Sequence, residues 1–284
     1  MMTAAFALAA AASCASADER VEEWTPRGVS SAQFESHAAF DPRDGDVWFV
    51  RSSPAFEGWR ILVSRCGARG WSEPQPPAFA GDGVEADPWF TPDGRTLYFI
   101  STRTTDGTTR KDLDIWRVER DADGHWGTPQ RLPEPVNSTA QEWFPRLAAD
   151  GWLYFGSARP GGHGKTDIWR ARERGGRWQV ENAGDAFNGA GDEYEALPSP
   201  DGSWMLLEGD DAYYRVQRAG DGWRAREKLP VEINRNGSEI GATFSPSGRT
   251  VLFARDTKGP LSGEFFVWHA GADEAWPPAC PAAK

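Results

Sequence analysis

The chain is poor in the residues that most hydrolytic or membrane-spanning proteins need. Histidine occurs four times in 284 residues, at 37, 125, 163 and 269, and cysteine and methionine three times each. Imidazoles so few and so scattered argue against a Ser-His-Asp site, and no G-x-S-x-G stretch is present. After the first 17 residues no apolar run approaches the ~20 residues that a membrane-crossing helix requires. No segment keeps a 3.6-residue apolar period between caps, so almost no helix is predicted beyond that leader. Positive charge is also in deficit. Lys and Arg total 31 against 42 Asp and Glu, a net charge of −11, which argues against nucleic acid and against broad attraction to anionic lipid. The two signs are interspersed, and solubility is explanation enough for them.

Aromatics and a repeat are what the chain does have. Glu142 begins a unit that runs through Asp150-Gly151, Leu153-Tyr-Phe155, Ser157-Ala-Arg159, Asp167-Ile-Trp169 and Trp178. A second copy starts at Glu85, with Asp93-Gly94, Leu97-Tyr-Phe99, Asp114-Ile-Trp116 and Trp126. Weaker copies start at Glu35, Glu193 and Glu239. The turn dipeptides at 44, 93, 150, 201 and 247 are spaced by 49, 57, 51 and 46 residues. A fixed period of this size decides the architecture.

Each unit reads as four short strands. The first leads from the Glu to the Asp-Gly or Ser-Gly turn, where glycine takes the positive φ of a tight hairpin. The second is a continuous apolar run, which implies burial on both faces. Asp-Ile-Trp opens the third, and a Trp close to a Pro, as in Trp126-Gly-Thr-Pro129, marks the fourth. Four-stranded antiparallel blades repeated every ~50 residues make an all-β propeller, and 15 Trp with 15 Phe suit the layers between blades. Five blades are predicted, with six as the alternative and an open solenoid as the rival architecture. Six segments have the character of an outer strand, against five sets of inner ones. The surplus, Trp24-Thr-Pro26, is predicted to pair with the last blade and close the ring.

Glu-x-x-Pro, Ser/Thr-Pro-Asp-Gly, Tyr-Phe-x-Ser-x-Arg and Asp-Ile-Trp together resemble the TolB-like, WD-type propeller repeats of bacterial envelope proteins. The resemblance covers about residues 24 to 276. Blade four departs from it at Leu206-Leu-Glu-Gly-Asp210, and blade five has Ser247 where Asp is expected. The family usually has six blades. What the resemblance implies is a propeller of the bacterial envelope; the amino-terminal domain that TolB carries beside its propeller has no counterpart in the repeats, so its partner-binding role is not carried over whole.

Residues 1–17 form an apolar leader ending in Ala15-Ser16-Ala17, a signal-peptide type of cleavage site, ahead of a single propeller domain over 18–284. Ala12-Ser13-Cys14 is also similar to a lipoprotein box, so lipidation of Cys14 is the alternative to simple cleavage, and such an anchor would be the only membrane contact. Both readings export the domain to the periplasm or the envelope surface. Cys66 and Cys280 then remain, in blades that adjoin in a closed ring, and either bond to one another or stay as separate thiols.

One Glu opens each repeat. Glu85, Glu142, Glu193 and Glu239 precede the turn Asp or Ser by eight residues, and Glu35 precedes Asp44 by nine. In a closed ring these five would lie at one end of the channel, with His37 and Asp87 beside them. The arrangement suits calcium or a basic ligand, although no cofactor is required and no metal is specified. The competing reading pairs each Glu with a recurrent Arg (51, 103, 159 or 255). Gly161-Gly-His-Gly-Lys-Thr166 is not a phosphate loop, because Arg159 replaces the first glycine and no helix follows. The leading functional expectation is a monomeric, non-catalytic, exported scaffold that binds a protein or an envelope component. The alternative is a hydrolase or lyase acting on carbohydrate or peptide at the channel mouth.

Overall fold

The computed structural model describes residues 19–105, 107, 110–209, 211–235, 238–259, 262–270 and 274–280. The leader and Cys14 lie outside them. Every regular element described is a strand, and the strands build a five-bladed propeller.

Arg20–Trp24 forms β1. Blade one is β2 (Phe34–Phe40), β3 (Val47–Ser52) and β4 (Arg60–Ser64), followed by a hairpin of β5 (Cys66–Gly67) and β6 (Gly70–Trp71). Blade two is β7 (Glu85–Phe90), β8 (Thr96–Ser101), β9 (Asp114–Glu119) and β10 (Gln130–Arg131). Blade three is β11 (Glu142–Leu147), β12 (Leu153–Ser157), β13 (Asp167–Arg174) and β14 (Arg177–Asn182). Blade four is β15 (Glu193–Pro198), β16 (Trp204–Gly209) and β17 (Tyr213–Ala219), with an outer edge split into β18 (Gly222–Trp223) and β19 (Glu227–Lys228). Blade five is β20 (Glu239–Phe244), β21 (Thr250–Arg255) and β22 (Glu264–His269), and its fourth strand is β1.

The closure follows from edge chemistry. β22 would otherwise expose a row of unpaired amides and carbonyls. β1 covers that row in antiparallel register, Arg20 opposite His269 and Trp24 opposite Phe265. Blade five is then sealed to blade one by the Glu35 amide, which donates to the Gly263 carbonyl at 2.7 Å. The same bond recurs around the ring, from Glu85 to Trp59, Glu142 to Leu113 and Glu193 to Thr166.

The second strand of each blade is buried on both faces, as its unbroken apolarity requires; Leu97, Phe99 and Ile100 are fully buried, and so are Leu252 and Phe253. Aromatic rings fill the layers between blades. Trp48 of blade one meets Phe79, Phe90 and Trp126 of blade two at 5.4–6.0 Å, and Trp204 of blade four meets Phe244 of blade five at 4.9 Å. Three connections use an Asn, buried at 137 and 188 and half-buried at 234. Asn137, Asn188 and Asn234 each accept from the amide of the third strand, at Ile115, Ile168 and Tyr213, and return the bond to its carbonyl.

The outer strands differ from expectation in two ways. In blade two the pairing strand is Gln130–Arg131, just past the Trp126–Pro129 segment, because proline supplies no amide to a ladder. The Trp276 segment forms no strand, because β1 already occupies the edge of β22. Trp276 packs instead on Phe40 of blade one, ring centroids 5.5 Å apart. Beside it, a disulfide joins Cys66 to Cys280 across 214 residues of chain, with Cα atoms 5.4 Å apart.

Candidate functional site

The five recurrent glutamates head the innermost strands, and all five are buried. Each carboxylate is held within its own blade by a guanidinium. Glu35 pairs with Arg51 at 2.7 Å, Glu142 with Arg159 at 2.9 Å and Glu239 with Arg255 at 2.8 Å, while Glu85 pairs with Arg103 and Glu193 with Arg226. Hydroxyls and amides complete the shell; Glu142 also accepts from the Ser138 hydroxyl and amide and from Ser157. The guanidiniums lie over second-strand rings, Arg103 over Phe99 at 4.9 Å and Arg159 over Phe155 at 5.0 Å, which suits the flat Arg side chain and not Lys. Among the described residues, one group of three potential metal-ligating side chains comes within 4.8 Å: Asp121, Asp123 and His125, exposed on a turn. The five glutamates do not form such a group.

The channel is lined by the next two positions after each Glu. The second of these is His37, Asp87, Phe144, Glu195 or Gly241. In four blades this residue sits in a β-bulge with positive φ: 54° at His37, 57° at Asp87, 46° at Phe144 and 64° at Gly241. A bulge re-aims a side chain out of the alternating pattern. A left-handed Phe is strained backbone of the kind found at functional sites. Gly241 has no alternative, since a Cβ there would lie 2.9 Å from the His37 ring.

These side chains meet in a buried polar cluster. His37 Nε2 lies 3.2 Å from Asp87 Oδ1, and its Nδ1 lies 2.6 Å from the Ser36 hydroxyl. Asp87 Oδ2 accepts from the Phe144 amide at 2.7 Å. Arg146 donates to Glu195 at 2.6 Å and lies over the Trp89 and Phe144 rings. Glu195 accepts from the Ala242 amide, and Glu208 from the Gly241 amide, both at 3.2 Å. Burial lowers His37 to about 3, helped by the Arg146 charge, so its imidazole is neutral. Burial raises Asp87 to about 7 against the pull of Arg146. Glu195 is raised by burial, and Glu208 is raised well above the usual carboxylate range by burial and by the Glu195 charge.

Above this floor opens a cavity of about 220 Å³, lined by His37, Asp87, Glu208, Ile240 and five aromatic rings. Phe56 and Trp59 come from the β3–β4 loop, Trp143 and Phe144 from β11, and Tyr194 from β15. The rings form a continuous arc: Phe56 to Trp59 at 5.2 Å, Trp59 to Trp143 at 5.8 Å, Trp143 to Tyr194 at 6.3 Å. Of the residues singled out in the sequence, His37 and Asp87 line this cavity, while the five glutamates brace its walls. The aromatic arc and the Arg146, Glu195 and Glu208 cluster were missed. Their one signal was the irregular pair of residues following each Glu, where the repeat loses its consensus. Elsewhere, the amides of His163 and Gly164 in the glycine-rich segment both donate to the Asp167 carboxylate, at 2.6 and 2.8 Å.

No protein-family model and no curated protein matches the chain. Among solved structures it is similar to a protein assigned as TolB from Agrobacterium tumefaciens, with a TM-score of 0.50 and 18% identity over 83% of this chain and 78% of that one. It is also similar to XC5397 from Xanthomonas campestris, a gluconolactonase, with a TM-score of 0.52 and 11% identity over 89% and 90% of the two chains. At such identities the likeness is one of fold, the β-propeller. No helix among the described residues is long and apolar enough to cross a membrane.

Proposed function

We propose that this protein is an exported, monomeric, non-catalytic propeller, of the TolB-like, WD-type kind found in bacterial envelopes, that binds a protein or an envelope component at its channel mouth. The observation that carries this reading is the arc of Phe56, Trp59, Trp143 and Tyr194, partly exposed around a roomy cavity. Large rings held half in water favour recognition of a partner over core packing. The apolar leader and a disulfide that suits an oxidising compartment support export. Cys14 would supply a lipid anchor in the lipoprotein form. The net charge of −11 disfavours nucleic acid as the partner.

A pull-down from envelope extract tests it, run in parallel with wild type and Trp143→Ala. One stoichiometric partner captured by wild type and lost from the variant is expected. No partner, or capture indifferent to Trp143, would contradict the reading.

A second reading is favoured by the His37–Asp87 pair, an imidazole and a carboxyl of strongly shifted affinity for protons facing one cavity. On it the propeller is a hydrolase or lyase for carbohydrate or peptide, with Asp87 as acid or base. Turnover of a glycan or peptide substrate abolished by Asp87→Asn would establish it.

A further inference from the structure

We propose that the channel-mouth cavity recognises an organic ammonium group, held between the indole wall of Trp59 and Trp143 and the carboxyl group of Glu208. This deepens the binding role proposed above and rests on it.

Three observations converge. First, the cavity walls are aromatic on successive sides, and ring faces carry the negative end of the π quadrupole that attracts cations. Second, the floor holds three carboxyl groups, Asp87, Glu195 and Glu208, against one guanidinium, Arg146, which is committed to Glu195 at 2.6 Å. Third, Glu208 is a buried carboxyl group with no ion pair among the described residues. It lines the cavity, it is 6% exposed, and the Gly241 amide is its hydrogen-bond partner among the described residues. One amide bond does not offset the burial of a charged carboxylate, so burial favours the protonated acid and a cation seated beside it would favour the ionised form. Glu208 also borders a second cavity of about 240 Å³ that shares Phe56, Tyr194 and Ile240, so the acid lies where two cavities adjoin.

The chemistry narrows the occupant. A neutral apolar ligand would leave Glu208 as it is, and an anion would oppose the ionisation of Asp87 and Glu208. A bare metal ion needs several oxygen ligands at close range, and the walls are mostly rings. At about 220 Å³ the cavity is several times the ~30 Å³ share of one water, enough for a substituted ammonium. Such a group could come from a small molecule or from a lysine of a partner.

Isothermal titration of the purified protein tests this with choline, with its neutral isostere 3,3-dimethyl-1-butanol and with Nα-acetyl-lysine amide. Saturable binding of choline or of the lysine amide is expected, and whichever binds assigns the source. The neutral isostere should bind at least tenfold more weakly than choline. Glu208→Gln should lower affinity for the cation at least tenfold, and Trp59→Leu should do so independently if the Gln variant folds poorly. Equal binding of choline and the alcohol would overturn the ammonium assignment while leaving a ligand-binding cavity intact. Binding of none of the three probes would overturn it as well. In that case, partner capture that still depends on Trp143 would keep the broader binding role standing.

Discussion

His37 of blade one and Asp87 of the neighbouring blade two meet at the channel, Nε2 to Oδ1 at 3.2 Å, both buried and both in left-handed backbone. Their proton affinities move in opposite directions: His37 falls to about 3, while Asp87 rises to about 7. In the unfolded chain between about pH 4 and 6.5 the imidazole carries a proton and the carboxylate does not. In the folded protein the proton sits on the carboxyl. The pair therefore binds one proton in each state and contributes almost no pH dependence across that window.

Asp87→Asn breaks that balance. The raised Asp87 contributes stability below its unfolded value that is lost as pH rises toward 7; the lowered His37 contributes stability that is gained as pH rises to about 6.5. With only the second effect left, the stability of the variant relative to wild type should climb by about 1.4 kcal/mol per pH unit between pH 4.5 and 6. Urea denaturation at several pH values reads the slope. Parallel curves for the two proteins would show that Asp87 is not raised.

Arg146 is the guanidinium of the channel floor, paired with Glu195 and stacked on Trp89 and Phe144. Arg146→Met should destabilise by about 3–5 kcal/mol, since it strands a buried carboxylate. Glu195→Gln combined with Arg146→Met should recover much of the loss. A double-mutant cycle with no coupling would contradict the pairing.

Calcium should leave the melting temperature unchanged at millimolar concentration. Glu35, Glu85, Glu142, Glu193 and Glu239 are each paired with an arginine, and among the described residues they form no oxygen cage for an ion at the heads of the blades. A saturable rise in thermal stability with calcium would mean that these pairs exchange for metal.

Ring closure is stapled twice, by β1 on β22 and by the Cys66–Cys280 bond. Replacing both cysteines by Ser should cost about 2–5 kcal/mol, because the bond restrains a long loop in the unfolded chain. Trp24, edge-on to Phe40, Trp71 and Phe265 at 5.9–6.4 Å, should cost about 2 kcal/mol on truncation to Ala. Thermal denaturation with and without reductant checks the first. An unchanged midpoint would remove the staple from the account.

The scaffold was legible because it repeats. Continuous apolar runs such as Leu97–Ile100 and turn glycines such as Gly94 register the blades in sequence, and the surplus Trp24 segment gave the closing strand. Trp276 looked the same but lost the competition for an edge that β1 already held, and pairing of that kind is a tertiary outcome. The site was less legible because binding residues do not repeat. His37, Asp87, Phe144, Glu195 and Gly241 are equivalent in position but differ in chemistry, so no consensus marks them. The recurrent Glu drew attention because it is structural. Arg226 escaped notice as the partner of Glu193 because it lies beyond Trp223 and not in the Ser-x-Arg position that serves blades two and three.

The most direct measurement is a crystal structure of the protein grown with saturating choline or Nα-acetyl-lysine amide. The account predicts density for the ammonium group of one of them within ~6 Å of the Trp59 and Trp143 ring centroids and beside the Glu208 carboxylate. An empty channel mouth at saturation both with choline and with Nα-acetyl-lysine amide, or the ammonium group seated elsewhere on the propeller, would contradict it.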